Sequence, residues 1–410
     1  MPTRLARGVL PALTIGLALL AVAPWLDSPF STPKRLVLTV AAGLALLLLP
    51  VSRRRLAWPF LLPLLSTALS AWSGEFASPE AVGTQLAFGL LLFAWASSGV
   101  EARWVAPVAV GCAAVVSLVA LLQAAGADPF AAFGPEASGR LRVYSTLGNP
   151  DFVASVLTVV LCLAAGEWST ARSLGGAPGK SVRWLAAMGL VLAALAVTRS
   201  FATLAAISAA AAAAGLHGLR RRAALPATVP SNPRRRHVGV TVAVVLGALG
   251  LLTALLAGRS PSEAMLGRLY LARVVVSAGL EAPVLGHGPG AVEALWPGWE
   301  LSWWKARCGV DASCVAADAW SRFAGLQDHV HDDWLELLVE RGLAGLIASL
   351  LVLAVALQRA WKSSAPRAPA LFATLVAVAV RATVDFPLAR PADLCLLAAV
   401  VGLVVSLEDE

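Results

Sequence analysis

Apolar runs approaching 20 residues recur from one end of this chain to the other, separated mostly by short polar segments. About 20 predominantly apolar residues suffice for a helix to cross the hydrocarbon core of a bilayer. Inside lipid every backbone polar group must be satisfied within the protein, and a chain with uninterrupted runs of this length does that as helices. Composition agrees: 58% of the 410 residues are hydrophobic and only 14% are charged, against roughly 25% charged in soluble domains. The expected fold is an all-α polytopic membrane protein with about 12 transmembrane helices. They are placed at about 8–25, 36–50, 57–72, 82–99, 105–125, 151–166, 184–198, 201–216, 238–257, 334–357, 370–386 and 394–407. The first run could imitate a signal peptide, but no clear A-x-A site precedes a soluble domain, so it reads as the first span.

The net charge of +8 follows from where the basic residues sit. Segments 1–7, 52–55, 100–103, 167–183, 217–237 and 358–367 hold 18 of the 32 Lys and Arg residues. Short loops rich in Lys and Arg stay in the cytoplasm, so both termini are expected there. Aromatic residues do not interleave with the basic runs, so no nucleic-acid partner is expected. The organisation expected is helices 1–9 over residues 1–257, a long structured exported loop over 258–333, and helices 10–12 over 334–410.

Within that loop, Trp296, Trp299, Trp303, Trp304 and Trp320 suit a surface at the lipid headgroup level. "LGRLYLARVVVSAGLEAP" reads as an amphipathic helix whose apolar face carries Leu269, Ala272, Val276 and Leu280. Cys308 and Cys314, in "CGVDASC", favour a disulfide in an oxidising compartment, with two free thiols as the alternative. Two cysteines alone make a poor zinc site. Cys112, Cys162 and Cys395 fall in spans and read as small apolar fillers.

Titratable residues gather at the mouth of one span, in "QDHVHDDWLELL": Asp328, His329, His331, Asp332 and Asp333. Acids at a helix start favour the positive end of the macrodipole, which predicts a helix from about Asp332 with His331 at its rim. A neutral imidazole there could take a proton from a hydroxyl. Two other readings stand beside this one. The first is an interfacial polar collar without a chemical task. The second is a metal site, which lacks a third histidine at suitable spacing. Arg199, in "VTRSFATLAA", sits in an almost unbroken apolar stretch and either snorkels to the interface or binds an anion. Arg268 opens the loop helix, as part of a solvated face or as a second anion ligand. Arg381 and Asp385, at i, i+4, read as a structural ion pair, and Asn149, before Pro150, as a helix cap. "LGHGPGAVEAL" lacks the G-K-[ST] of a phosphate loop and reads as a sharp turn.

Several of these stretches, taken in order, resemble the O-antigen ligase family, the Wzy-C-type polytopic glycosyltransferases. His331-Asp332, followed by nine residues and Gly342-x-x-Gly345, is similar to the family's His-[Asn/Ser/Gln]-x9-Gly-x-x-Gly signature. "GRLYLARVVVSAGLEAPVLGHGPG" resembles its Arg-rich loop helix and the glycine turn after it. "STLGNPDFVAS", "VTRSFATLAA" and "VDFPLARPA" are similar to three further family segments. Two residues depart from the pattern: Asp332 stands for the usual Asn, Ser or Gln, and Asp151 for the second Asn of an Asn-Pro-Asn segment. The resemblance implies a GT-C-like fold in a bacterial inner membrane. It implies transfer of a glycan from an undecaprenyl-diphosphate carrier to an acceptor hydroxyl at the periplasmic face, without cofactor or metal. Arg199 and Arg268 then engage the diphosphate and His331 serves transfer, with Arg142, Asn149 and His329 as further substrate contacts. The acceptor implied is a lipid A-core, which makes a ligase, or a second lipid-linked glycan, which makes a polymerase. A lipid-linked glycan transporter is the alternative from another class and predicts interrupted spans in matching halves.

Overall fold

The computed structural model describes residues 2–50, 57–132, 143–173, 178–223 and 263–407, and among these all regular structure is helical. The helices are α1 (Pro2–Leu20), α2 (Thr32–Leu48), α3 (Leu62–Ser73), α4 (Pro79–Ser98), α5 (Ala102–Ala124), α6 (Pro150–Ser173), α7 (Pro178–Thr198), α8 (Phe201–Ala223), α9 (Glu263–Gly279), α10 (Ala291–Cys308), α11 (Ala312–Ala317), α12 (Asp333–Lys362), α13 (Ala368–Ala382) and α14 (Pro391–Ser406). Every expected span coincides with one of them except 238–257, which lies outside the described residues, as does the candidate contact Arg142. Among the described residues six helices are long and apolar enough to cross a membrane: α4, α5, α6, α8, α12 and residues Ser181–Thr198 of α7. Residues Ala6–Leu20 of α1, together with α13 and α14, are shorter apolar helices.

The apolar side chains are arranged for an apolar solvent. Leu47 is 81% exposed and Trp72 91%, and α12 presents a stripe of Leu343, Ile347, Leu350 and Leu351. Contiguous apolar surface of this kind marks an interaction surface, here with lipid. α14 is apolar on all sides, and a helix of that kind belongs in the interior. It packs against α4, α1, α2, α6, α12 and α13 and is almost wholly buried. Close approach to α4 depends on Gly402, where a Cβ would sit 2.4 Å from Val100 Cγ2 and 3.2 Å from Trp95 Cβ.

The two ends of the bundle differ. At one end Arg220 and Arg221 of α8 donate to the carbonyls of Trp361 and Ser364, placing cations at the C-terminus of α12. Arg367 pairs with Glu167 there at 2.6 Å. At the other end Lys34 Nζ donates to the carbonyls of Ala21, Phe30 and Thr146 at 2.6, 2.7 and 2.7 Å, using all three of its protons to tie α1, α2 and the segment before α6 together. The segment around α9, α10 and α11 and the start of α12 lie at this second end, called the site end below.

The loop segment departs from its reading in two ways. α9 forms where expected, but Leu269, Val276 and Leu280 face outward, while Tyr270, Leu271, Val274, Val275 and Ala278 are buried. The helix is apolar on more than one face, and an aromatic cluster selects the Tyr270 face. The tryptophans are also not a headgroup-level surface. Trp296, Trp299 and Trp304 are buried in a core of their own. The rings of Trp296, Trp303, Trp304, Trp320 and Phe323 surround Tyr270 with centroids 5.5–6.5 Å away. The indole N–H groups find partners inside, Trp296 on the Gly325 carbonyl (2.7 Å) and Trp304 on the Tyr270 hydroxyl (3.1 Å). Burying an aromatic body with its polar tip satisfied favours packing over an interfacial position. The Cys308–Cys314 disulfide is present and closes the turn between α10 and α11.

Candidate functional site

His331 is clamped from both sides. Behind it, Val330 is 1% exposed, and its N–H donates to Glu336 Oε2 at 3.0 Å. Ahead of it, Asp332 is the N-cap of α12 and accepts from the Trp334 and Leu335 amides at 3.0 and 3.1 Å. The other oxygen of Glu336 meets His329 Nδ1 at 2.8 Å. Between these anchors His331 adopts φ +59°, a left-handed conformation that a non-glycine residue enters at a cost of about 1–3 kcal/mol. Such a conformation persists where the surroundings over-determine it, and the Glu336 and Asp332 anchors do that here.

Phe386, in the link between α13 and α14, forms the floor. The His329 ring stacks on it with centroids 4.2 Å apart, and the His331 ring meets it edge-on at 5.0 Å. The link is fixed from two directions: Asp333 Oδ2 accepts from the Leu388 amide at 2.8 Å, and Gln85 donates to the Leu388 carbonyl at 2.9 Å. The Arg390 guanidinium lies over the rings of Phe152 (4.4 Å) and Phe386 (5.1 Å). Arg390 pairs with Asp385 at 3.0 Å and Asp393 at 3.1 Å, and Arg381 pairs with Asp385 at 2.7 Å. The expected Arg381–Asp385 pair is thus part of a buried network. Arg381 extends it to Thr203 Oγ1 (2.9 Å) and the Asp151 carbonyl (2.6 Å), and Asp151 accepts from Ser200 Oγ at 2.6 Å.

That network reaches Ser200, the residue after Arg199. Arg199 occupies the tight turn between α7 and α8 with φ +52°, and its side chain is exposed. Among the described residues no hydrogen bond, ion pair or ring contact joins Arg199 to His331. Arg268 is nearer. Burial depresses the His331 pKa below the ordinary imidazole value, and the Arg268 charge lowers it further. His331 is therefore neutral at pH 7, with one ring nitrogen carrying the N–H and the other able to accept a proton. His329 goes the other way: burial alone would lower its pKa, but the carboxylates of Glu336, Glu340 and Asp328 together raise it. The two histidines are two residues apart, and their pKa values move in opposite directions because their partners differ. Among the described residues neither Arg199 nor Arg268 has an ion pair or hydrogen bond, and the forked donors of a guanidinium suit an anion. Asn149 is the cap it was expected to be, with Oδ1 accepting from the Asp151 amide at 2.8 Å.

Below the site α12 is interrupted. Gly342 takes φ +63° and ψ −167°, and residues 283–290 thread through the break. The Leu343 and Ala344 amides donate to the Pro283 and Val284 carbonyls, and the His287 and Gly288 amides donate to the carbonyls of Val339 and Glu340. The same strip pairs on its other edge with 76–78, through the Phe76 and Ser78 amides. Glu340 Oε1 accepts from the Gly290 amide at 2.9 Å at the start of α10. The backbone groups freed by the break are thus satisfied by protein, as membrane-depth irregularity requires. The glycines of "LGHGPG" are dictated by contact: a Cβ on Gly288 would sit 1.6 Å from the Phe76 carbonyl oxygen.

Glu336, Glu340, Phe386 and Arg390 were not among the residues singled out from sequence. Glu336 is one position beyond the usual capping-box place, and Phe386 and Arg390 reach the histidines only through tertiary contact. No group of three or more His, Cys, Asp or Glu residues able to hold a metal ion occurs among the described residues. No family model and no curated protein matches the chain.

Proposed function

We propose that this chain is a polytopic membrane glycosyltransferase of GT-C-like fold. In this reading it has 12 spans and both termini in the cytoplasm, and the site end faces the periplasm of a bacterial inner membrane. It moves a glycan from an undecaprenyl-diphosphate carrier to an acceptor hydroxyl, with a lipid A-core as the acceptor favoured and a second lipid-linked glycan, the polymerase case, as the alternative. One observation carries the reading: a neutral histidine held in a strained backbone conformation, with an arginine that has no ion pair among the described residues close enough to help depress its pKa. His331 takes the proton of the acceptor hydroxyl as it attacks the anomeric carbon, and the carrier diphosphate leaves with the bonding pair. Arg268 and Arg199 stabilise the charge that grows on the diphosphate, a contribution that needs no reorganisation during the reaction. The donor is already activated, so the step draws on no nucleotide.

The test is transfer by purified protein, with a defined carrier-linked glycan and candidate acceptors. A new glycosidic bond that depends on His331 supports the proposal; its absence with every acceptor defeats it. A transporter is the second reading, and the break at Gly342 is the observation in its favour. The threaded strip fills that break, whereas a transport path would be lined by it. Movement of lipid-linked glycan across liposomes without bond formation would favour this second reading.

A further inference from the structure

α9 carries apolar side chains on two faces. Tyr270, Leu271, Val274, Val275 and Ala278 are buried in the aromatic core. At about 100° per residue, Leu269, Ala272, Val276 and Leu280 fall within an arc of roughly 80° on the opposite side. That second face is open: Leu280 is 75% exposed and Val284, just past the helix, 63%. The neighbouring helix α10 turns a different surface outward, with Glu293, Ser302, Lys305 and Arg307 beside Leu301. The outer face of α10 suits water, and that of α9 does not. The α9 stripe also leads into a surface that already faces lipid. α9 runs beside the start of α12 and in the same direction. Arg268 bears on His331, a Cβ on Gly279 would sit 4.0 Å from Val339 Cα, and the Pro283 and Val284 carbonyls accept from the Leu343 and Ala344 amides. Leu343 begins the exposed stripe of α12. The two apolar surfaces are therefore continuous across the paired 283–284 and 343–344 segments.

We propose that the outer face of α9 is embedded in the lipid leaflet at the site end, entering at the headgroups near Leu269 and reaching the acyl chains at Leu280 and Val284. Its occupant is phospholipid. From Arg268 to Leu280 the helix covers about 18 Å, enough to pass from the phosphate level into hydrocarbon. Arg268 and Arg273 lie on either side of the stripe, where a guanidinium can reach up to lipid phosphate while its stem covers apolar surface. Arg273 also lies over the Trp320 ring at 4.5 Å, which ties this flank to the aromatic core. A second copy of the chain is the weaker occupant, because it would have to displace lipid from the α12 stripe that continues this face. The consequence is mechanical. The helix holds the whole aromatic core down on the membrane and sets Arg268 and the neighbouring His331 loop at the level of lipid phosphates. The inference needs only a bilayer around the bundle and is independent of the transferase reading.

Spin-label depth measurements on the full chain test this, in nanodiscs of phosphatidylethanolamine and phosphatidylglycerol. Cys112, Cys162 and Cys395 are replaced by alanine and the Cys308–Cys314 disulfide is kept. Nitroxides are then placed one at a time through Leu269→Cys, Val276→Cys, Leu280→Cys, Val284→Cys and, on the polar face of α10, Ser302→Cys. Each is scored by collision with oxygen, which concentrates in hydrocarbon, and with a nickel chelate, which stays in water. The ratio of oxygen to nickel collisions is expected to rise in the order 269, 276, 280, 284. At Leu280 it is expected to exceed the Ser302 value by about tenfold. Should Val284→Cys fail to fold, the order across the other three positions carries the test. Water-like ratios at Val276 and Leu280 overturn the proposal, as does a ratio that does not rise along the helix. Shielding from both reagents overturns it too and assigns the face to a second copy or another protein. The readout is depth, so a chain that gives the expected profile but forms no glycosidic bond would sink the transferase reading and leave the lipid contact standing.

Discussion

Glu336→Ala removes both clasps that Glu336 places on the loop carrying His331. The Val330 amide is at a position 1% exposed, so no water replaces its acceptor at Glu336 Oε2. Leaving a buried N–H unsatisfied costs about 1–3 kcal/mol. The contact to His329, whose side chain is 35% exposed, is partly screened and adds about 0.5–1 kcal/mol. The clamp is therefore worth ~1.5–4 kcal/mol, and at about 1.4 kcal/mol per decade its loss accelerates local opening by roughly 10- to 700-fold. Hydrogen exchange of peptides covering 327–334, measured by mass spectrometry in nanodiscs, reads this directly. Glu336→Gln keeps one acceptor oxygen and should show about half the effect on a logarithmic scale. Exchange across 345–356 should not change in either variant. Unaltered exchange at Val330 in the alanine variant, or an equal acceleration along the whole of α12, would refute the assignment of Glu336 as the clamp.

Other consequences follow from the same geometry. Arg268→Gln removes the cation that helps depress the His331 pKa, so that pKa rises. A base that works in its neutral form loses activity as pH falls through its pKa, so the acid limb of kcat/KM moves to higher pH; an unmoved limb would disconnect the two residues. Arg268→Lys keeps the charge and the limb but loses the guanidinium fork, so KM for the donor rises. Gly342→Ala places a Cβ 2.3 Å from the Val284 carbonyl group at φ +63° and should destabilise by ~2–6 kcal/mol. Gly43→Ala, with open space around it, serves as the comparison in thermal denaturation. Asp385→Asn leaves two buried guanidiniums short of a counter-charge and should cost ~3–5 kcal/mol; a shift below 1 kcal/mol would show that Asp393 suffices.

Hydropathy located the helices because each span must be apolar along its length whatever its neighbours are. The N-cap at Asp332, the Asn149 cap and the Arg381–Asp385 pair were legible for a related reason: each depends on residues within four positions. What sequence could not supply is contact between distant segments. Nothing in "VDFPLARPA" marks Phe386 as the surface on which His329 and His331 rest, because they lie more than 50 positions earlier. The Gly342-x-x-Gly345 spacing was visible as a motif, yet its meaning as a break filled by 283–290 depends on a strip elsewhere in the chain. The tryptophans were misplaced for the opposite reason. Their density fits both a headgroup belt and a small aromatic core, and only the convergence of partners on Tyr270 decides between them.

The central claim is that the neutral histidine at the rim of α12 performs the proton transfer of a glycan-forming step. Its most direct test is initial-rate transfer by the purified chain and by His331→Ala, each reconstituted with the same carrier-linked glycan and acceptor. The account predicts turnover by the native chain and a loss of about 10²–10⁴-fold in the variant, with thermal unfolding unchanged and binding of the carrier diphosphate retained. Turnover by His331→Ala at the native rate would contradict it.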